Sequence, residues 1–202
     1  MRAPSEGGND TAEVVVKYIG RSYGVAVDAT SRNIYWTDST KRTLEVQQID
    51  AGWRRVLIWE GLENPYSVVT MPSHGYLFWS DWGQEMGKIE RSQMDGYERA
   101  SILSENIGCP NALTIDVKEE RIYWTDVKMN SVESAKIDGG SRRLVLRDRP
   151  EPYGVALYGD AIYWSDAKTM ALHMVNRKGG SETMVMTGLR AVLSLKVRQL
   201  PL

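Results

Sequence analysis

The sequence predicts an all-β fold of four consecutive four-stranded units, the blades of a β-propeller. Two observations lead there. Four near-identical tetrapeptides, Tyr35-Trp36-Thr37-Asp38, Phe78-Trp79-Ser80-Asp81, Tyr123-Trp124-Thr125-Asp126 and Tyr163-Trp164-Ser165-Asp166, recur with a period of about forty residues, the mark of a repeat architecture. No window carries a sustained apolar period of 3.6 residues, so helix is scarce.

Each element of the unit has its own signal. About a dozen residues upstream of each tetrapeptide lies a stretch of small and β-branched residues, such as Tyr23-Gly24-Val25-Ala26-Val27-Asp28 and Tyr153-Gly154-Val155-Ala156-Leu157. This is the pattern of a strand packed closely on both faces. Polar turns such as Ala29-Thr30-Ser31-Arg32-Asn33 join it to the tetrapeptide as a hairpin. Downstream, Leu44 to Asp50, Ile89 to Gly96, Val132 to Gly139 and Leu172 to Asn176 read as third strands closed by Asp, Asn or Gly turns. Fourth strands follow at Arg55 to Trp59, Arg99 to Leu103, Arg143 to Leu146 and Thr183 to Met186.

The blades therefore span about residues 23–60, 66–104, 111–147 and 153–187. Residues 1–13 are apolar-poor and expected to be a disordered leader, with no signal peptide. Within them Asn9-Asp10-Thr11 fits a glycosylation acceptor. Val14-Val15-Val16-Lys17-Tyr18 reads as a last strand, and residues 191–197 as a first strand. Residues 14–202 are thus expected to form a partial propeller, the product of a fragment or an incomplete gene product.

Composition narrows the function classes. The chain has 202 residues, 42% apolar and 25% charged, with a formal net charge of −1. No bulk field favours nucleic acid or an anionic membrane. No run approaches the roughly 18 apolar residues of a membrane span. A single cysteine, Cys109, excludes an internal disulfide and reads as a small buried residue.

Within the tetrapeptides, alternation along a strand sends Tyr35, Phe78, Tyr123 and Tyr163 toward one neighbouring blade and Trp36, Trp79, Trp124 and Trp164 toward the other. The hydroxyl and carboxylate that follow are expected to bond backbone groups at the strand end. Metal ligation by Asp38, Asp81, Asp126 and Asp166 would require convergence on one point, and second strands lie off the propeller axis. No metal site and no cofactor are expected.

The tetrapeptides, with Phe78-Trp79-Ser80-Asp81-Trp82-Gly83, Lys88 to Gly96, Cys109 to Asp116 and Arg121 to Asp126, resemble the YWTD (class B) repeats of the low-density-lipoprotein receptor family. The resemblance covers residues 14–197 and leans toward the receptor-related proteins that act as Wnt co-receptors. It implies a six-bladed ring, an EGF-like module just C-terminal, and a parent protein on the extracellular side of the plasma membrane. It implies a binding face for extracellular protein or peptide ligands.

No GxSxG, HExxH or P-loop motif accompanies the two histidines, His74 and His173, so no enzyme is expected. The starts of the first strands and the loops after the tetrapeptides open on one face of the disc. That face gathers Tyr23, Tyr66, Asn111 and Tyr153 with Trp82, Met86 and Met129, residue types that make protein-binding hot spots. Trp82 is the leading candidate. The arginines Arg54, Arg55, Arg99, Arg142 and Arg143 read as a solvated outer rim. A structural adhesion propeller of a nidogen-like matrix or growth-factor-precursor protein is the alternative function, and a propeller hydrolase a remote one.

Overall fold

The computed structural model of the protein describes residues 14–177, 180–189 and 194–196. The leader with Asn9, and residues 191–193 and 197 of the expected closing strand, lie outside the described residues.

Four antiparallel sheets follow in series. The first blade is β1 (Val25–Asp28), β2 (Asn33–Asp38), β3 (Thr43–Gln48) and β4 (Arg54–Ile58). The second is β5 (Pro65–Met71), β6 (Tyr76–Trp82), β7 (Gly87–Gln93) and β8 (Ala100–Leu103). The third is β9 (Pro110–Asp116), β10 (Arg121–Asp126), β11 (Ser131–Lys136) and β12 (Arg143–Leu146). The fourth is β13 (Pro152–Tyr158), β14 (Ala161–Asp166), β15 (Ala171–Asn176) and β16 (Thr183–Thr187). In every blade the strand order along the sheet is the chain order. A 3-10 turn at Pro72–His74 closes the β5–β6 hairpin, ending on Gly75 in the left-handed region (φ 69°).

Inner strands of successive blades pack side by side, β1 on β5, β5 on β9 and β9 on β13. The approach is close enough to dictate glycine. A Cβ on Gly24 would lie 2.6 Å from the Tyr66 carbonyl oxygen. A Cβ on Gly154 would lie 3.0 Å from the Leu195 nitrogen, so Leu195 runs beside β13 as one inner strand runs beside the next. Residues 194–196 form no strand ladder, and neither does Val14–Tyr18. The latter was expected as a strand. No strand among the described residues offers it a paired row of backbone groups, and side chains of the first blade hold it instead. Gln47 Nε2 donates to the Val15 carbonyl (2.8 Å) and Arg54 Nη1 to that of Lys17 (2.8 Å).

The core lies between blades. Tyr35 of the first blade shares a cluster with Trp79 of the second, Phe78 with Trp124, and Tyr123 with Trp164. All four Trp are at most 1% exposed. Tyr163 is half-buried.

Each indole is also clamped from the rim, which corrects the reading of Arg54, Arg99 and Arg142 as merely solvated, while Arg55 and Arg143 are exposed as expected. In the first three blades the residue opposite the Trp is a buried glutamate, Glu45, Glu90 or Glu133. An arginine nine residues on pairs with it: Arg54 with Glu45 at 2.6 Å, Arg99 with Glu90 at 2.7 Å, Arg142 with Glu133 at 2.7 Å. The guanidinium lies over the indole, 4.8, 5.6 and 5.4 Å from the ring centre. It also donates to a carbonyl of the preceding linker, Lys17, Glu60 or Glu105. The fourth blade inverts the pair. His173 stands opposite Trp164 and stacks on it (5.2 Å, 12°), and Glu182 stands where the arginine would be. Glu182 contacts His173 Nδ1 at 2.8 Å and Arg149 at 2.9 Å, and Arg149 covers Trp164 at 5.8 Å.

The tetrapeptide carboxylates are buried, and Asp38, Asp126 and Asp166 collect backbone N–H groups from two segments at once, while Asp81 takes those of Glu63 and Asn64 in the entering linker. Asp38 accepts from Gly20 in the entering linker and from Thr40 and Lys41 in the β2–β3 turn. Asp126 accepts from Gly108 and Cys109, and from Lys128 and Met129. Burial acts to raise the Asp38 pKa, but the bonds from Lys41, Gly20 and Thr40 and the Lys41 charge outweigh it and hold the group below its usual range. At Asp81 burial wins over the bonds from Asn64 and Glu63, and the pKa is pushed up.

Two outcomes follow from this packing. Replacing Trp124 by Ala costs about 3–5 kcal/mol, as buried aromatic truncations do; a urea midpoint equal to that of the unmutated protein would refute the blade packing. The depressed Asp38 pKa contributes stability that is complete above the ordinary value of 3.8 and is lost as pH falls through the lower folded value. The midpoint gap between the protein and Asp38→Asn therefore narrows below pH 3.8, and a gap constant down to strong acid would contradict the assignment.

Candidate functional site

The residues of interest gather where the inner strands begin and the second strands end. Thr and Ser of the tetrapeptides set this face. Thr37 Oγ1 accepts from the Gly24 N–H (3.2 Å) and donates to the Tyr66 carbonyl (2.7 Å), tying one blade to the next inner strand. Ser80 Oγ accepts from the Ser67 N–H (3.0 Å). Thr125 Oγ1 accepts from Ala112 N–H and donates to the Tyr153 carbonyl. Tyr66 and Tyr153 thereby enter their strands at a defined height.

Tyr23, Tyr66 and Trp82 form one continuous stack. Ring centres of Tyr23 and Tyr66 are 4.3 Å apart at 15°, and those of Tyr66 and Trp82 4.3 Å apart at 9°. The Trp82 Nε1–H donates to the Pro110 carbonyl at 2.7 Å, so the indole reaches from the second blade to the third. Its outer surface remains half-buried, Tyr66 is 8% exposed and Tyr23 42% exposed. Tyr66 is the covered middle ring. Burial, then the neighbouring Tyr153 and Tyr23, push its hydroxyl up to about 12.

Beside Trp82 runs an open groove of about 420 Å³, edged by Arg42 and Glu63 and reaching Cys109. Burial first, then the Asp126 charge, raise the Cys109 pKa, so the thiol is not set up as a nucleophile. Met86 and Met129 stand out from the adjoining loops, 50% and 46% exposed. Lys128 Nζ donates to the Glu85 carbonyl (2.8 Å) and joins those two loops.

Of the residues named from sequence, Trp82, Tyr66 and Tyr23 come together, Tyr153 is half-buried within electrostatic reach of Tyr66, and Met86 and Met129 are exposed on the loops after β6 and β10. Asn111 departs from expectation. It is 1% exposed and turns inward, its Nδ2 donating to the Pro152 carbonyl at 3.2 Å, because the β9–β13 approach leaves it no path to the surface. The Trp–Glu–Arg clamps were missed, although the constant nine-residue Glu-to-Arg spacing carries the signal. Among the described residues no group of three or more His, Cys, Asp or Glu could hold a metal ion, and no helix is long and apolar enough to cross a membrane.

Residues 75–117 and 120–158 match the low-density lipoprotein receptor repeat class B. The chain is 37% identical over 137 residues to the vitellogenin receptor Yl of Drosophila melanogaster. It is 30% identical over 137 residues to the low-density lipoprotein receptor-related protein 5-like protein of Homo sapiens. It is 34% identical over 136 residues to the vitellogenin receptor of Solenopsis invicta. Each of these alignments covers 67% of this chain, which spans only 7%, 54% and 8% of the respective relatives. Among solved structures, a chain of a nidogen/laminin complex superposes with a TM-score of 0.78 at 35% identity, covering 83% of this chain and 64% of that one. A virginiamycin B lyase from Staphylococcus aureus (TM-score 0.65, 17% identity, 81% of this chain and 54% of that one) shares the fold alone. So does a chain described as a gluconolactonase (0.68, 16%, 88% and 67%).

The alkaline limb of stability reports on the stack. The raised Tyr66 pKa leaves stability whole below the ordinary tyrosine value of 10.0 and removes it as pH rises from there to about 12. Tyr66→Phe is expected to flatten the fall in urea midpoint across that window; an unchanged fall would place the hydroxyl in water.

Proposed function

We propose that this chain is an extracellular protein-binding propeller module of a cell-surface receptor of the low-density-lipoprotein receptor-related type. The observation that carries the reading is the three-ring stack of Tyr23, Tyr66 and Trp82, whose Trp82 lines an open groove, with Met86 and Met129 exposed on the loops that follow β6 and β10. Stacked aromatics held rigid by neighbours lose little entropy on binding, and adjacent methionines adapt to the partner's shape. Tyr23, Trp82, Tyr153, Met86 and Met129 are the proposed contacts, and the buried Tyr66 and Asn111 support them. Similarity to two vitellogenin receptors supports a role in taking up protein cargo. The Wnt co-receptor role is the narrower form of the proposal and rests on the resemblance of the repeats alone, while the human relative supports the receptor-related type. An EGF-like module following this one in the parent belongs to the same proposal, and catalysis does not.

The likeness at 35% identity to a chain of the nidogen/laminin complex favours a second reading, an adhesion module of the extracellular matrix. Surface plasmon resonance on the immobilised 202-residue chain separates the two, with vitellogenin and laminin as probes. Vitellogenin binding supports the receptor reading and laminin binding the matrix reading. In either case Trp82→Ala is expected to weaken binding about tenfold or more, as central aromatic anchors do. Binding of neither probe by the folded chain, or full binding by Trp82→Ala, would overturn the proposal.

A further inference from the structure

On the opposite face, where the β1–β2 and β3–β4 turns lie, the first two blades part to leave a cleft of about 280 Å³. Its floor is the buried Tyr35 and its side walls are Asp28, Asn33 and Asp95. Trp53, 48% exposed, forms a flat outer wall, and Arg55 stands at the rim. Apolar surface from Leu57 and Met94 lines the way in.

The cleft is rich in acceptors. The Asn33 amide oxygen is buried with no hydrogen-bond partner among the described residues, while its Nδ2 reaches the Tyr35 hydroxyl only at 3.5 Å. Asp28 is 3% exposed, and its Oδ1 already accepts from the Thr30 and Ser31 N–H groups. Burial chiefly, with the charges of Asp28 and Asp95, raises the Tyr35 pKa against the Asn33 bond, so both carboxylates act on the cleft floor. The two carboxylates and the unpaired amide oxygen make the potential at the cleft negative, which favours a cation there.

We propose that this cleft receives a guanidinium group, the arginine side chain of a protein partner. A guanidinium is planar and carries five N–H donors, so it stacks on an indole while bonding to acceptors at its edge. Trp53 supplies the face and the exposed Asp95 the edge, Asp28 and Asn33 Oδ1 add negative potential from beneath, and Leu57 and Met94 meet the aliphatic stem. Arg55 opposes the incoming charge and sets the affinity low. The two faces of the molecule then bind independently, and this proposal does not rest on the aromatic stack.

The test uses the whole chain labelled with nitrogen-15 and follows the Trp53 indole N–H by NMR, assigned through Trp53→Phe. N-acetyl-arginine amide is the probe, and N-acetyl-citrulline amide, of the same shape without the charge, is the control. A saturable shift with the arginine probe alone is expected. Asp95 is exposed, so Asp95→Asn leaves the fold intact; it is expected to weaken binding about threefold, the scale of one partly solvated charge. Arg55→Gln is expected to tighten binding by a similar factor. No saturable shift, an equal response to citrulline, or indifference to both substitutions would overturn the proposal.

Discussion

Each blade is a twisted four-stranded sheet with apolar residues on both faces, and neither face can be left in water. The interleaving of one blade's leading aromatic with the next blade's Trp answers that constraint. Tyr35 and Trp79, Phe78 and Trp124, and Tyr123 and Trp164 meet because alternate residues of a strand point to opposite faces. The core is therefore not inside any blade but in the seams. Everything else in the molecule either tightens a seam or hangs from one.

The polar residues of the tetrapeptide do the tightening. A buried carboxylate such as Asp126 gathers N–H groups from the entering linker and from the following turn, fixing two loops around one atom pair. The hydroxyl before it reaches across to the next inner strand, as Thr37 does to the Tyr66 carbonyl. These bonds hold the face on which Tyr23, Tyr66 and Trp82 stack. The site is thus rigid without a core of its own, since the tetrapeptides beneath it fix the height at which each strand begins.

At the rim, glutamate and arginine clamp the indole from outside. A buried carboxylate beside a guanidinium is tolerable only when the pair stays together, since an isolated charge there would be costly. The fourth blade keeps the geometry and reverses the chemistry, with His173 in the carboxylate's place and Glu182 in the cation's. Arg149 then arrives from the preceding linker to cover Trp164. The seam demands a cation over the indole, and it accepts one from a different stretch of chain.

The sequence by itself determined the blade count, the strand order and the residues of the seams. Those properties follow from local alternation and from a period that repeats, and both are written in consecutive residues. The candidate face was legible too, because Trp82 lies just outside a packing motif and the tyrosines begin inner strands. Only the tertiary structure decided which of these residues touch. Tyr23, Tyr66 and Trp82 are apart in the chain and stack because the entry to β1, the start of β5 and the end of β6 converge. Asn111, equivalent in register to the exposed Tyr23, turns inward to the Pro152 carbonyl. The Glu–Arg clamps were written in a nine-residue spacing, but their meaning depends on a seam that no single repeat contains. Val14–Tyr18 has the composition of a strand and is none, because a strand is defined by the neighbour it pairs with rather than by its own residues.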